Sequence, residues 1–214
     1  MRRDHALEIL KPRVNRQLVV AVYQTLFDWM AIHPRDLNYV ATGAMGQASS
    51  HGLGLALANP GREVLVFDGD GSLLMNLGSL VSIANAAPAN FHHFVFVNGV
   101  YEVNGAHPIP AADKVDFAML ARGAGYRQVA EFSELAQLES GIDAFLDEPG
   151  PALAVMQVQP GESYPRDYAY IHSAAARARC RAVLARWLGP TLGLGEAAIA
   201  AVAVAAFAGH LYPV

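Results

Sequence analysis

The chain has 214 residues, a formal net charge of −4 at pH 7 and two lysines, Lys11 and Lys114. A chain of this length can build one domain with a substantial core, and it is too short for two domains of ordinary size. The negative net charge and the presence of only two lysines argue against nucleic acid or an anionic membrane surface as a partner. Small molecules or proteins are the expected partners.

Six short apolar or β-branched runs predict strands, and segments with helical periodicity lie between them. The predicted strands span 17–22, 37–41, 63–67, 93–98, 126–130 and 152–158, and the predicted helices span 23–32, 47–58, 72–87, 114–122 and 132–146. Alternation of strands and helices is typical of a parallel sheet covered on both faces. We therefore predict a three-layer α/β fold with a mostly parallel sheet.

The N-terminal segment and the single cysteine favour an intracellular protein. Residues 1–13 carry charges throughout and lack the apolar core of a signal peptide, and the single cysteine, Cys180, excludes an internal disulfide. The cytoplasm is the expected location. The alanine-rich run 196–209 is shorter than the stretch of about 20 residues that spans a membrane, so it predicts a core or interface helix. We expect a binding domain at 1–189 and a helical extension at 190–214.

Aspartate and glycine alternate in the sequence DGDG at 68–71, directly after the third predicted strand. Ligands of open α/β sheets bind beyond the carboxyl ends of the strands. Ser72 begins the next predicted helix, whose free N–H groups and dipole favour an anion such as phosphate.

A tight turn with an aspartate cap would also explain the glycines. A calcium loop of the EF-hand type does not fit, because its sixth position is Leu73 and its twelfth is Ser79. A dinucleotide fingerprint is also missing after the predicted strands.

Asn98 falls at the carboxyl end of the next predicted strand. A right-handed crossover between the two strands would bring Asp70 and Asn98 together. A carboxylate, an amide oxygen and a backbone carbonyl just after Asn98 would suit Mg²⁺, which prefers oxygen ligands and substrate phosphates. The stretch from Asp36 to Gly61 contains no lysine or arginine, so a metal ion would have to offset the charge of a diphosphate.

These residues resemble the thiamine-diphosphate-dependent enzymes, whose motif is GDG followed some two dozen residues later by asparagine. Here the motif runs from 69 to 98, and the upstream segment ATGAMG at 41–46 strengthens the match. The family often has a second asparagine or an aspartate before the last one, where this chain has Val97. The resemblance implies the following site. Asp70, Asn98 and the carbonyl of Val100 would bind Mg²⁺. Gly69, Gly71 and Ser72 would contact the diphosphate, and Tyr101 would flank it. Gly43 would accept a hydrogen bond from the aminopyrimidine, and Met45 would wedge the two cofactor rings against each other.

Within this family the chain resembles the β subunit of sulfopyruvate decarboxylases and the matching half of phosphonopyruvate decarboxylases, over about residues 5–160. The resemblance implies decarboxylation of a 2-oxo acid, with a second, pyrimidine-binding subunit that supplies the catalytic glutamate in a hetero-oligomer. Glu63 and Glu102 are poor substitutes for that glutamate, because Glu63 starts a strand at the opposite end and Glu102 would lie near the diphosphate. Carboligation and a non-catalytic regulatory role stay open as alternatives.

Few of the eight histidines suggest chemistry. His107 lies in the loop that follows Asn98 and is a candidate general acid, or else an ordinary loop residue. His92 and His93 should point to opposite faces of a strand, which is wrong for shared metal ligation. His51 lies either beside the site or in a solvated first helical turn. The arginines of the predicted helix 174–189 are expected to be mostly solvated.

Overall fold

The computed structural model describes residues 1–40, 45–161 and 164–188, with side chains described as far as residue 185. Gly43 and the extension predicted at 190–214 lie outside these ranges.

The central sheet of the described chain has six parallel strands. The strands, in chain order, are β1 (Leu18–Ala21), β2 (Asn38–Val40), β3 (Val64–Gly69), β4 (Phe91–Val97), β5 (Val100–Tyr101), β6 (His107–Pro108), β7 (Gln128–Phe132) and β8 (Ala152–Gln157). Six of them form the sheet in the order β2-β1-β3-β4-β8-β7, and β5 pairs with β6 in a short antiparallel hairpin. The strands β1 and β3 therefore lie side by side, and so do β3 and β4.

Helices cover both faces of this sheet. They are α1 (Arg3–Leu10), α2 (Tyr23–Ile32), α3 (Ala48–Ala58), α4 (Asp70–Leu74), α5 (Ser79–Ala86), α6 (Phe117–Ala124), α7 (Leu135–Asp147), α8 (Tyr168–Ile171) and α9 (Ala174–Leu188). On one face, α1, α2 and α7 pack on an aromatic core in which Phe67 makes edge-to-face contacts with Trp29 and Phe94. On the other face, α3, α5, α6 and α9 cover a second apolar cluster that includes Val66, Phe91 and Val95. The three-layer α/β prediction is confirmed.

The prediction of one helix over 72–87 is wrong, because a turn at 75–78 divides this segment into α4 and α5. Asn76 lies in this turn, and its Nδ2 donates hydrogen bonds to the carbonyl of Gly46 (2.8 Å) and to Oγ of Ser50 (3.1 Å). These bonds tie the turn to a distant loop, so the break depends on tertiary contacts that helical periodicity does not reveal. The prediction also omitted α1 and the β5–β6 hairpin.

In the described part of the chain, no helix combines the length and apolar character needed to span a bilayer.

Candidate functional site

A cleft lies beyond the carboxyl ends of β3 and β4. Gly69 at the end of β3 is opposite Phe96 of β4, so the residues that follow the two strands meet at one edge of the sheet. The cleft brings together every described residue that the sequence predicts as a cofactor ligand: Met45, Gly69, Asp70, Gly71, Ser72, Asn98, Val100 and Tyr101.

Asp70 connects the two strand ends through its carboxylate, which is only 3% exposed. Its Oδ2 accepts hydrogen bonds from the backbone N–H groups of Asn98 (3.0 Å) and Gly99 (2.7 Å), and its Oδ1 accepts one from Gly71 (2.7 Å). Burial raises the pKa of Asp70, and these three N–H groups act in the opposite direction. Since an ionised carboxylate offers about four lone-pair sites, it can accept one further ligand.

The side-chain amide of Asn98 lies between a backbone group and a second carboxylate. Its Oδ1 accepts a hydrogen bond from the N–H of Val100 (3.0 Å), and its Nδ2 donates to Oε2 of Glu102 (3.0 Å). Val100 is itself held in β5, where it pairs with Pro108 of β6. The loop after β4 is therefore fixed by the hairpin as well as by Asp70.

Gly71 has to be a glycine because the ring of Tyr101 lies against its backbone. A Cβ atom at this position would be 2.4 Å from Cε1 of Tyr101 and 3.0 Å from Cγ2 of Ile109. The DGDG sequence thus combines a buried carboxylate with a backbone that an aromatic ring can approach.

The loop that carries Met45 is anchored to the start of α4. Oγ of Ser72 accepts a hydrogen bond from the N–H of Gly46 (2.9 Å), whose φ of +80° favours glycine. Together with the bond from Asn76 to the Gly46 carbonyl, this contact fixes both backbone groups of residue 46. Met45 therefore has a defined position in the cleft although the preceding residues 41–44 are not described.

The start of α2 also belongs to the site, although no sequence motif indicated it. Tyr23, Gln24 and Thr25 line the cleft, and Oε1 of Gln24 is buried without a hydrogen-bond partner among the described atoms. Tyr23 also has a φ of +47°, a conformation that is costly for a residue other than glycine and is often found at functional sites. These residues follow β1, which lies beside β3, so the rule that places ligands beyond the carboxyl strand ends could have found them.

A buried set of charges, which no sequence motif indicated, lies at the edge of the cleft. Arg3 is 2% exposed, and its guanidinium contacts Asp28 through Nε (2.6 Å) and Glu102 through Nη1 (2.7 Å) and Nη2 (3.1 Å). Asp28 is fully buried and also accepts a hydrogen bond from Nε2 of Gln24 (2.8 Å). Burial raises the pKa of Asp28, while the positive charge of Arg3 lowers it. No local sequence pattern relates residue 3 to residue 102.

His92 and His93 lie near the start of β4, at the end away from the cleft. His92 packs on Phe145 of α7, and Nε2 of His93 lies 3.3 Å from Oδ2 of Asp68 on the other face of the sheet. The predicted opposite orientation of the two rings is therefore confirmed. Asp68 and His93 are both fully buried, so this pair is part of the core beneath the cleft.

His107 and His51 differ in exposure. His107 is exposed on β6, opposite Tyr101, and is not among the described residues that line the cleft. His51 is partly buried in the first turn of α3, where its ring meets Tyr39 edge to face. Burial lowers the pKa of His51. The alternative that His51 is a solvated first-turn residue is therefore wrong, because its ring packs between α3 and Tyr39.

The family of the chain follows from a comparison with protein-family models. The model described as the thiamine pyrophosphate enzyme, C-terminal TPP binding domain, matches residues 20–156. The chain belongs to this family. Thiamine pyrophosphate is the same compound as thiamine diphosphate, so the resemblance inferred from the motifs is confirmed.

Several relatives of the thiamine pyrophosphate enzyme domain are decarboxylases by name. The sulfopyruvate decarboxylase subunit beta of Methanothermobacter thermautotrophicus is 38% identical over 62% of this chain and 68% of that subunit. The phosphonopyruvate decarboxylase of Streptomyces viridochromogenes is 40% identical over 59% of this chain and 32% of that enzyme. The chain thus spans about a third of the length of the Streptomyces enzymes that it matches. More distantly, the large subunit of Escherichia coli acetolactate synthase isozyme 1 is 28% identical over 58% of this chain and 24% of that subunit.

A solved structure supports the fold of the thiamine pyrophosphate enzyme domain. An enzyme from Mycobacterium smegmatis, described as thiamin diphosphate-dependent, matches with a TM-score of 0.61 and 20% identity, over 75% of this chain and 32% of that one. The predicted fold class is the one that this comparison shows.

The donor atoms in the cleft fit the metal ion that this family's cofactor would need. The carboxylate of Asp70, the amide oxygen of Asn98 and the carbonyl of Val100 are hard oxygen donors of the kind that Mg²⁺ prefers. Among the described residues, no group of three or more His, Cys, Asp or Glu side chains is arranged to hold a metal. A metal ion in this cleft would therefore depend on amide and backbone oxygens together with Asp70.

Proposed function

We propose that this chain is the diphosphate- and Mg²⁺-binding subunit of a heteromeric thiamine-diphosphate-dependent decarboxylase of 2-oxo acids, of the sulfopyruvate or phosphonopyruvate type. The observation that carries the proposal is the single cleft in which Asp70, Asn98 and the two glycines of the GDG motif lie together. The names of the relatives at 38–40% identity support decarboxylation over other reactions of the family.

In this proposal the cofactor supplies the electron sink for loss of carbon dioxide, and the residues of this chain position it. Asp70, Asn98 and the carbonyl of Val100 hold Mg²⁺, and Ser72 with the backbone of Gly69 and Gly71 holds the diphosphate. Tyr101 flanks the diphosphate, and Met45 keeps the two cofactor rings at a fixed angle. Gly43, outside the described residues, is the proposed acceptor for the aminopyrimidine.

A second subunit is part of the proposal because the described cleft is small and open. Its volume is about 50 Å³, whereas pockets for small molecules typically enclose about 300–1,000 Å³. Neither glutamate considered earlier suits the catalytic role. Glu102 is bound to Arg3, and Glu63 lies at the opposite end of β3, where Gln17 donates to it. The names of three relatives as beta subunits also support a partner, which we propose supplies the glutamate.

His107 is proposed as a general acid that supplies the proton which replaces carbon dioxide on the substrate carbon. Its position on β6, opposite Tyr101, puts it on the same hairpin that follows Asn98.

The proposed location is the cytoplasm, in keeping with a lone cysteine, Cys180, that is buried as a free thiol.

The proposal is tested with Asp70→Ala. We expect this variant to lose Mg²⁺-dependent binding of thiamine diphosphate, because it lacks the one charged ligand, and to keep the circular dichroism spectrum of the parent. Asp113→Ala, at an exposed position away from the cleft, is the matched control and should bind as the parent does. Unchanged cofactor binding by Asp70→Ala would refute the proposal.

The reaction type is tested on the complex recovered through a tagged full chain. Native mass spectrometry should find a second subunit and the cofactor in the same assembly. Supplied with sulfopyruvate or phosphonopyruvate, that assembly should release carbon dioxide without joining two substrates. A carbon–carbon coupled product would instead support carboligation, and an assembly without cofactor would support a regulatory subunit.

A further inference from the structure

The buried charges next to the cleft form a continuous chain that ends at Asn98. Asp28 contacts Arg3, Arg3 contacts Glu102, and Glu102 accepts a hydrogen bond from the side-chain amide of Asn98. The side chains of Arg3, Asp28 and Glu102 are 2%, 0% and 17% exposed. The first helix of the chain is thereby connected to the loop after β4.

Arg3 holds Glu102 in one orientation. Two nitrogen atoms of the guanidinium contact the two oxygen atoms of Glu102, at 2.7 and 3.1 Å, while Nε is bound to Asp28 at 2.6 Å. The guanidinium is planar and its donors are fixed relative to one another. With Nε held by Asp28, the plane of the guanidinium is set, and Glu102 has to align with it.

Glu102, together with the N–H of Val100, determines which way the amide of Asn98 faces. An ionised carboxylate only accepts hydrogen bonds, so the NH₂ group of Asn98 must face Glu102 and the amide oxygen must face the other way. This is the observed arrangement, with Nδ2 at 3.0 Å from Glu102 and Oδ1 toward the N–H of Val100. A flipped amide would place two oxygen atoms about 3 Å apart and would point the NH₂ group at the N–H of Val100, donor against donor.

We propose that Arg3 and Glu102 are positioning residues. They orient the side-chain amide of Asn98 so that its oxygen is available as a metal ligand before the metal binds. Neither residue needs to touch the metal or the cofactor for this role. The inference rests on the function proposed above, since it concerns the metal that holds the diphosphate. Partners that orient a metal ligand typically change metal affinity by about 10–100-fold when they are mutated.

Glu102→Gln is the main test because it conserves the shape of the side chain. In either orientation of the new amide, its NH₂ group meets a donor nitrogen of Arg3. One orientation also turns the NH₂ toward Asn98, so that only the N–H of Val100 then favours the required amide orientation. We expect Mn²⁺ binding, measured by electron paramagnetic resonance on the full chain with saturating thiamine diphosphate, to weaken by about 10-fold or more.

Arg3→Lys and the double variant separate positioning from general stability. Lysine keeps the charge and loses the planar fork, so Arg3→Lys should also weaken Mn²⁺ binding by about 10-fold. If Arg3 acts through Glu102, the double variant should bind Mn²⁺ no more weakly than Glu102→Gln alone. Leu138 is a buried core residue of α7 outside the cleft lining. Leu138→Ala is therefore the stability control, and it should lower the melting temperature without changing Mn²⁺ affinity.

The outcomes distinguish this inference from the function on which it depends. Mn²⁺ affinity within about two-fold of the parent in both Glu102→Gln and Arg3→Lys, with binding lost in Asp70→Ala, would overturn the inference and leave the proposed function standing. A parent chain that binds no Mn²⁺ with thiamine diphosphate, alone or with its partner, would overturn both. Weakening in Leu138→Ala equal to that in Glu102→Gln would mean that the effect is one of stability, and would also overturn the inference.

Discussion

A methyl group at Gly52 would collide with the middle of the sheet, and we expect Gly52→Ala to destabilise the fold. The added Cβ would be 2.3 Å from Cγ2 of Val66 and 3.0 Å from Cε2 of Phe91, both of which are fully buried. Carbon atoms in good contact are about 3.5–4.0 Å apart. Either α3 or Val66 must therefore move by about 1 Å in a close-packed interior.

The expected cost follows from two opposing terms. Overpacking costs about 1–3 kcal/mol, and the severe overlap at Val66 favours the upper end. Replacing glycine by alanine within a helix returns about 1 kcal/mol. The net loss is then about 2 kcal/mol, or roughly 4–8 °C in the melting temperature of a domain of this size.

Urea unfolding followed by circular dichroism measures this loss, and Gly123→Ala is the matched control. Gly123 also lies in a helix, α6, but a Cβ there would meet nothing within 4 Å, so this change should be neutral or stabilising by up to about 1 kcal/mol. In a Val66→Ala background, which removes Cγ2, Gly52→Ala should cost much less. The packing argument is wrong if Gly52→Ala unfolds at the same urea concentration as Gly123→Ala.

Two further predictions concern the cleft and the acid side of the stability curve. Gly71→Ala should lower the free energy of unfolding by about 1–3 kcal/mol, because its methyl group meets the ring of Tyr101. Urea unfolding should show a smaller loss when the same change is made in a Tyr101→Ala background. An equal loss in both backgrounds contradicts this reasoning. Burial lowers the pKa of His92, so below about pH 6.5 the unfolded chain takes up a proton that the folded chain does not, and stability falls. His92→Gln should therefore lose less stability between pH 7 and 5 than the parent, whereas the same change at the exposed His5 should leave that loss unchanged; equal pH profiles for all three proteins rule the idea out.

The sheet and most of the cleft follow from local sequence patterns. The apolar runs at β3 and β4 are continuous because both faces of these strands are covered by helices. Parallel strands place their carboxyl ends at one edge, so Asp70 and Asn98 could be expected to meet before any contact was known. The family motif then assigned them a common ligand.

The features that the sequence did not reveal depend on contacts between distant residues. The break between α4 and α5 requires Gly46 to accept a hydrogen bond from Asn76, and periodicity carries no information about that bond. In the sequence, Arg3 is one of several charges in a polar N-terminal segment. Its role becomes apparent only in the fold, where α1 packs against α2. Its pairing with Glu102, 99 residues away, is visible only in the folded chain.

The charge of the cleft determines how fast an anion can enter it. Among the described residues of its lining, Arg3 is basic while Asp70 and Glu102 are acidic, and Asp28 lies directly behind Arg3. An approaching free diphosphate is repelled by this excess of negative charge, whereas its magnesium complex carries less charge and is repelled less. Dissolved salt screens such repulsion beyond about 10 Å at 0.1 M. The association rate of the free anion should therefore rise with ionic strength, opposite to the behaviour of a cleft that attracts its ligand.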